Sequence, residues 1–232
     1  MSNYDPDGVP ESEWEDRGDL AWNEFDWERY LRDQDELINR YLAYYETFRD
    51  HPERIDEVAK SMEWDETQGE SNTTAEVEPK QEQSTETPPD DFSADSEVYT
   101  LHKNPIFIAT RALYLRVRRN WELLATDSQK VPQALALNYL ISLHHGEDQA
   151  VQAIHALEFG DFAMAISLFK RALSALNQTL ALLNEPVALR LRAVCAYRDE
   201  ALTSLFDLRE IWLRVTAECR AELERPVEDD ES

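Results

Sequence analysis

Apolar residues recur along this chain at steps of three and four over long stretches, interrupted by proline, glycine and acidic runs. Such spacing predicts amphipathic helices, because a residue three or four places further on returns to the same helix face. Between Trp27 and Phe48 the positions Trp27, Tyr30, Leu31, Ile38, Tyr41, Tyr45 and Phe48 share a face. A short second helix, expected to begin at Pro52, presents Ile55, Val58, Ala59 and Met62.

Four longer helices follow. The first is expected from Pro105 with Asn104 as N-cap, and its seam is Ile106, Thr110, Leu113, Val117, Asn120 and Leu124. The second runs from Pro132 with a seam of Ala136, Leu140, Leu143, Glu147, Ala150, Ile154 and Leu157. The third is capped by Asp161 after Gly160 and is apolar at each seam position: Phe162, Ile166, Phe169, Leu173, Leu176, Leu180 and Leu183. The fourth meets no breaker between Pro186 and Arg225, which at 1.5 Å per residue allows a rod of about 60 Å.

With 5 glycines in 232 residues and few alternating β-branched runs, strands have little support. The fold expected is all-α: an up-down four-helix bundle over residues 98–225 with a long last helix, preceded by an N-terminal helical arm over 23–64. Glu147 and Arg198 each interrupt an apolar seam near mid-height. Helices two and four of such a bundle run in the same direction, so this pair is expected to face one another, or at least to share a buried polar cluster, because neither charge would be left unpaired in a core.

Charge divides the chain. Residues 1–97 hold 8 Lys/Arg and 30 Asp/Glu, residues 98–227 hold 15 and 14, and Glu228, Asp229, Asp230 and Glu231 close an acidic tail over 226–232. Segments 1–22 and 65–97 are too acidic and too poor in large apolar groups to offset the entropy of ordering, so a disordered tail and linker are expected. A formal net charge of -25 repels phosphate, which argues against nucleic acid and anionic membranes as partners. No leader or spanning run is present, so a cytoplasmic protein is expected. Cys195 and Cys219 fall on one predicted helix, roughly 36 Å apart, and cannot pair within a chain.

Candidate chemistry is sparse. His144, Asp148 and His155 lie on one side of the second helix and make a conceivable transition-metal site, and with it a metal-binding helical-bundle enzyme is one alternative. No Glu is followed by His three residues later, and no phosphate loop or nucleophile elbow occurs, so no cofactor is expected. Arg111, Arg116, Arg118 and Arg119 read as a solvated face or as a docking place for the chain's own acidic segments.

Within residues 157–173, Gly160, Asp161, Phe162, Ala165, Ile166, Phe169, Ala172 and Leu173 resemble the turn and second helix of a tetratricopeptide repeat. The resemblance implies half of a peptide-binding helical hairpin, and no second copy follows at a period of 34 residues. The preceding helix carries Gln149, Gln152, Ala153 and Ala156 where the repeat has Trp, Leu, Gly and Tyr. A chain break at Gly146 would favour a repeat-like hairpin. A seam in register across Gly146 predicts a continuous helix instead, with Gly160 and Asp161 as a turn within a bundle.

The function expected from these features is non-enzymatic: a helical interaction or scaffold protein that binds a protein partner or a second copy of itself. Trp14, Trp22, Trp27 and Trp212 are the candidate partner-binding residues. A second alternative is an acidic inhibitor that mimics nucleic acid.

Overall fold

Local signals set the helix ends. Asn23 accepts hydrogen bonds from the backbone N–H groups of Phe25 (2.8 Å) and Asp26 (3.2 Å), while the Asp26 carboxylate accepts from the Asn23 N–H (3.0 Å), which closes a capping box. Asn104 caps the next long helix by accepting from the Phe107 N–H at 3.0 Å. Asp161 does the same for a third, accepting from the Met164 N–H at 2.9 Å. Gly160, at φ +72°, is the left-handed residue that ends the helix before it, with the Asp161 N–H bonded to the Ala156 carbonyl.

The computed structural model describes residues 22–64 and 101–225; the expected acidic tails, apart from Trp22, and the expected linker, and Trp14 with them, lie outside the described residues. The elements are α1 (Glu24–Thr47), α2 (Arg54–Ser61), a 3-10 turn (Leu101–Lys103), α3 (Pro105–Ala125), α4 (Gln133–Glu158), α5 (Phe162–Leu183), α6 (Pro186–Leu189) and α7 (Arg192–Glu224). The class is all-α, and among the described residues there is no strand. α3, α4, α5 and α7 form a ring in which each packs on its predecessor and α7 closes against α3. α4 and α7 are therefore diagonal to one another.

One end of the ring is locked by Trp121, Tyr139 and Tyr197, whose ring centres lie 4.3 to 5.8 Å apart. Tyr197 donates its hydroxyl proton to the Val117 carbonyl (3.0 Å), so the Tyr139 hydroxyl is the donor in the 3.0 Å bond between the two tyrosines. Mid-height is filled by Trp212, fully buried, stacked on Tyr114 at 6.0 Å and donating to Thr110 Oγ1 at 3.1 Å.

α4 runs through Gly146 without a break. The glycine is required by its neighbour: a Cβ there would stand 2.5 Å from the Tyr114 hydroxyl and 3.6 Å from Ala175 Cβ. The α4–α5 hairpin is thus a pair of 26- and 22-residue helices within a bundle, and its likeness to a tetratricopeptide repeat is confined to local packing at 157–173.

Three expectations are corrected. The last helix does not run unbroken from Pro186. It is split into α6 and α7 at Arg190 and Leu191, where Leu191 is extended (φ -99°, ψ 105°) and the preceding turn buries Ala188 completely. At the start of α4 the core face is Leu135 and Tyr139, with Ala136 and Leu140 only half-buried, because the ring contacts the helix from a rotated direction. Leu31, assigned to the buried face of α1, is 51 % exposed, because the inward face is centred on Tyr30, Tyr41 and Tyr45 and leaves Leu31 at its edge.

Candidate interaction surface

α1 lies outside the ring, against α3, and closes the groove between α3 and α7. Its face of Tyr30, Ile38, Tyr41 and Tyr45 is buried, and Val58 of α2 is sealed completely. The attachment is specific. Asp207 of α7, buried, takes both nitrogens of one edge of Arg54, Nε at 2.5 Å and Nη2 at 2.7 Å, and accepts the Tyr45 hydroxyl at 2.5 Å. Burial and the charge of Asp207 together push the Tyr45 pKa up to about 12.

Beside this cluster Arg116 donates to Ser204 (3.0 Å) and Glu200 (3.1 Å) of α7 and to Glu46 of α1 (3.2 Å), and its guanidinium lies 5.7 Å from the Tyr45 ring centre. Arg214 and Asp56 form an exposed ion pair at the rim. Sequence reasoning passed over Arg54, Ser204 and Asp207. The signal was available in α7, where Ser204 and Asp207 share a face inside an otherwise apolar band.

Where α1 begins, arm and bundle diverge and leave a cleft of about 280 Å³. Trp27, Tyr30 and Phe107 supply aromatic wall, Leu101 and Val151 aliphatic floor, and Gln34, Arg111 and His155 its polar groups. Trp22 packs edge-on against Trp27, with ring centres 4.8 Å apart, and Trp27 meets Tyr30 at 5.8 Å. Trp27 keeps 43 % of its surface exposed and Leu31, one turn on, 51 %.

The sequence-derived candidates therefore divide. Trp22 and Trp27 come together at this cleft. Trp212 does not belong to any surface: its ring lies wholly in the core, because the seam of α7 there faces both α3 and α5.

Glu147 is buried and paired as expected, but its partners are Arg111 (2.5 Å) and Arg118 (3.2 Å) of the adjacent α3 rather than Arg198. Tyr197, the residue before Arg198, meets Tyr139, about two turns before Glu147 on α4, so Arg198 stands at a different height of the bundle from Glu147. The carboxylate nearest Arg198 is Asp199 at 3.9 Å, and the Arg198 Nε is buried without a hydrogen-bond partner. The basic run of α3 is thus largely consumed internally, with Arg111 and Arg118 turned to α4 and Arg116 to the arm.

The proposed metal ligands do not assemble. His144 and Asp148 are exposed, Asp148 accepts from Gln152 at 2.8 Å, and His155 lines the cleft three turns, or about 16 Å, along the helix from His144. Among the described residues no group of three His, Cys, Asp or Glu lies close enough to hold a metal ion, and no helix is long and apolar enough to cross a membrane.

Comparison with family models, curated proteins and solved structures returns no match for this chain.

Proposed function

We propose that the protein is a non-enzymatic, cytoplasmic interaction protein that recruits a protein partner at the junction of arm and bundle. The observation that carries this reading is the half-exposed Trp27 and Leu31 beside an open aromatic cleft, on a helix that buries Tyr30, Tyr41 and Tyr45 against the bundle. Partially exposed large aromatic residues at the edge of a concavity supply contact area at low entropic cost, which is how interface anchors work. The cleft falls just below the ~300–1,000 Å³ of small-molecule sites, a size suited to one large side chain of a partner and its flanks.

The test is affinity capture with the full chain and with a Trp27→Ala/Leu31→Ser variant, after confirming that both melt at the same temperature. The reading expects proteins retained by the wild type and lost by the variant. Identical captured sets would remove it.

A further inference from the structure

We propose that the groove between α4 and α5 binds a small hydroxylated monocarboxylate, with its carboxylate on Arg171 and its hydroxyl between Ser174 and Gln178. The groove holds about 220 Å³, and its lining residues belong to these two helices, so it stands apart from the arm. Its floor is Ala175, buried where the helices come close: a Cβ at position 146 would lie 3.6 Å from Ala175 Cβ. Longer polar side chains stand around that floor. His145 and Gln149 lie one turn apart on α4, and Arg171, Ser174 and Gln178 follow at spacings of three and four on α5.

These five polar side chains are uncommitted: among the described residues none of them makes a hydrogen bond or an ion pair, and all but Gln149 are exposed. Gln149 sets the chemistry of the α4 wall. Its Oε1 is sealed from solvent without a hydrogen-bond partner, so the planar amide leaves its NH2 end as the one turned to the groove. With the Arg171 guanidinium and the Ser174 hydroxyl, donors converge on one small space, which suits an oxyanion. Charge decides which oxyanion. A chain carrying -25 repels a phosphate dianion more strongly than a carboxylate, and one arginine matches one negative charge through its two-pronged edge. Ser174, Gln178 and His145 each have a donor and an acceptor to offer, which fits an uncharged hydroxyl beside the carboxylate.

Lactate, propionate, lactamide and inorganic phosphate, titrated separately into the full isotope-labelled chain at constant ionic strength, test the proposal by NMR of the Gln149 and Gln178 side-chain amides. Lactate should shift both resonances saturably, with a Kd on the order of 1 mM for so small a ligand. Propionate, which lacks the hydroxyl, should bind severalfold more weakly, and lactamide, which lacks the charge, at least about tenfold more weakly. Arg171→Gln and Ser174→Ala, at exposed positions of a long helix, should keep the wild-type melting temperature. They should weaken lactate about tenfold and severalfold respectively. Shifts that never saturate, propionate or lactamide bound as tightly as lactate, phosphate bound more tightly than lactate, or lactate binding unchanged in Arg171→Gln would each overturn it.

Discussion

The hydroxyl of Tyr114 occupies the space that a side chain at position 146 would need: a Cβ built on Gly146 stands 2.5 Å from it, and next meets Tyr114 Cζ at 3.5 Å. The tyrosine cannot swing away, since its ring is buried and stacked on Trp212. In an exposed helix Gly→Ala would gain about 1 kcal/mol. Here Gly146→Ala should instead destabilise by about 1–2 kcal/mol, the overpacking cost exceeding the propensity gain. In a Tyr114→Phe background the obstructing atom is gone, so the same substitution should turn neutral or stabilising. Urea denaturation of the four proteins reads this change of sign directly.

The arm is held through Asp207. Asp207→Ala leaves the Arg54 guanidinium without its carboxylate and the Tyr45 hydroxyl without its acceptor, a loss of about 3 kcal/mol at a largely buried pair. That loss should fall on the arm rather than the bundle. Hydrogen exchange should speed up across residues 24–61 and stay unchanged in α4 and α5; equal acceleration everywhere would mean the arm is not a separate docking unit.

Glu147 and Arg198 should differ sharply. Glu147→Leu strands two arginines at a part-buried site and is expected to cost about 2–3 kcal/mol. Arg198→Leu removes a guanidinium whose Nε is buried and unpartnered, and should be neutral or slightly stabilising. Melting temperatures of the two variants check the contrast.

Alkaline pH should loosen the whole structure. Burial, the leading cause in each case, raises the pKa of Tyr41, Tyr45, Tyr114, Tyr139 and Tyr197 above the ordinary value near 10. The folded state therefore holds phenol protons that the unfolded chain releases. Their contribution is fully present below about pH 10 and is lost as pH rises above it; for Tyr45 the loss is complete once pH passes about 12. Ultraviolet titration should show tyrosinate appearing together with loss of helical signal, and Tyr45→Phe should delay release of the arm.

What the sequence made legible was local. Asn104 with Pro105, and Gly160 with Asp161, mark their helix ends because capping and left-handed backbone are chemistry of one or two residues. The all-α class follows as directly from the spacing of apolar positions. Ring order was not legible, and it decided the rest. Glu147 pairs with Arg111 and Arg118 because α3 is its neighbour, while Arg198 sits at the height of Tyr139, about two turns away along α4. Trp212, an aromatic residue on a helix that looked over-long, proved to be core once α3 and α5 were seen to meet there. The break at Leu191 left no mark, since neither Arg190 nor Leu191 resists helix and only the burial of Ala188 explains the step. At the candidate surface, the aromatic periodicity of α1 identified the helix. That Leu31 falls at the edge of the inward face was visible only when the docking direction of α1 was known.

The central claim is that the junction of arm and bundle faces another protein. Its most direct measurement is photocrosslinking in cells, with benzoylphenylalanine placed at Leu31 beside the cleft and, as a control, at Glu36 on another exposed face of α1. The account predicts a discrete covalent adduct with a second protein from position 31, abolished by Trp27→Ala, and none from position 36. No adduct at position 31, or the same adducts from both positions, would contradict it.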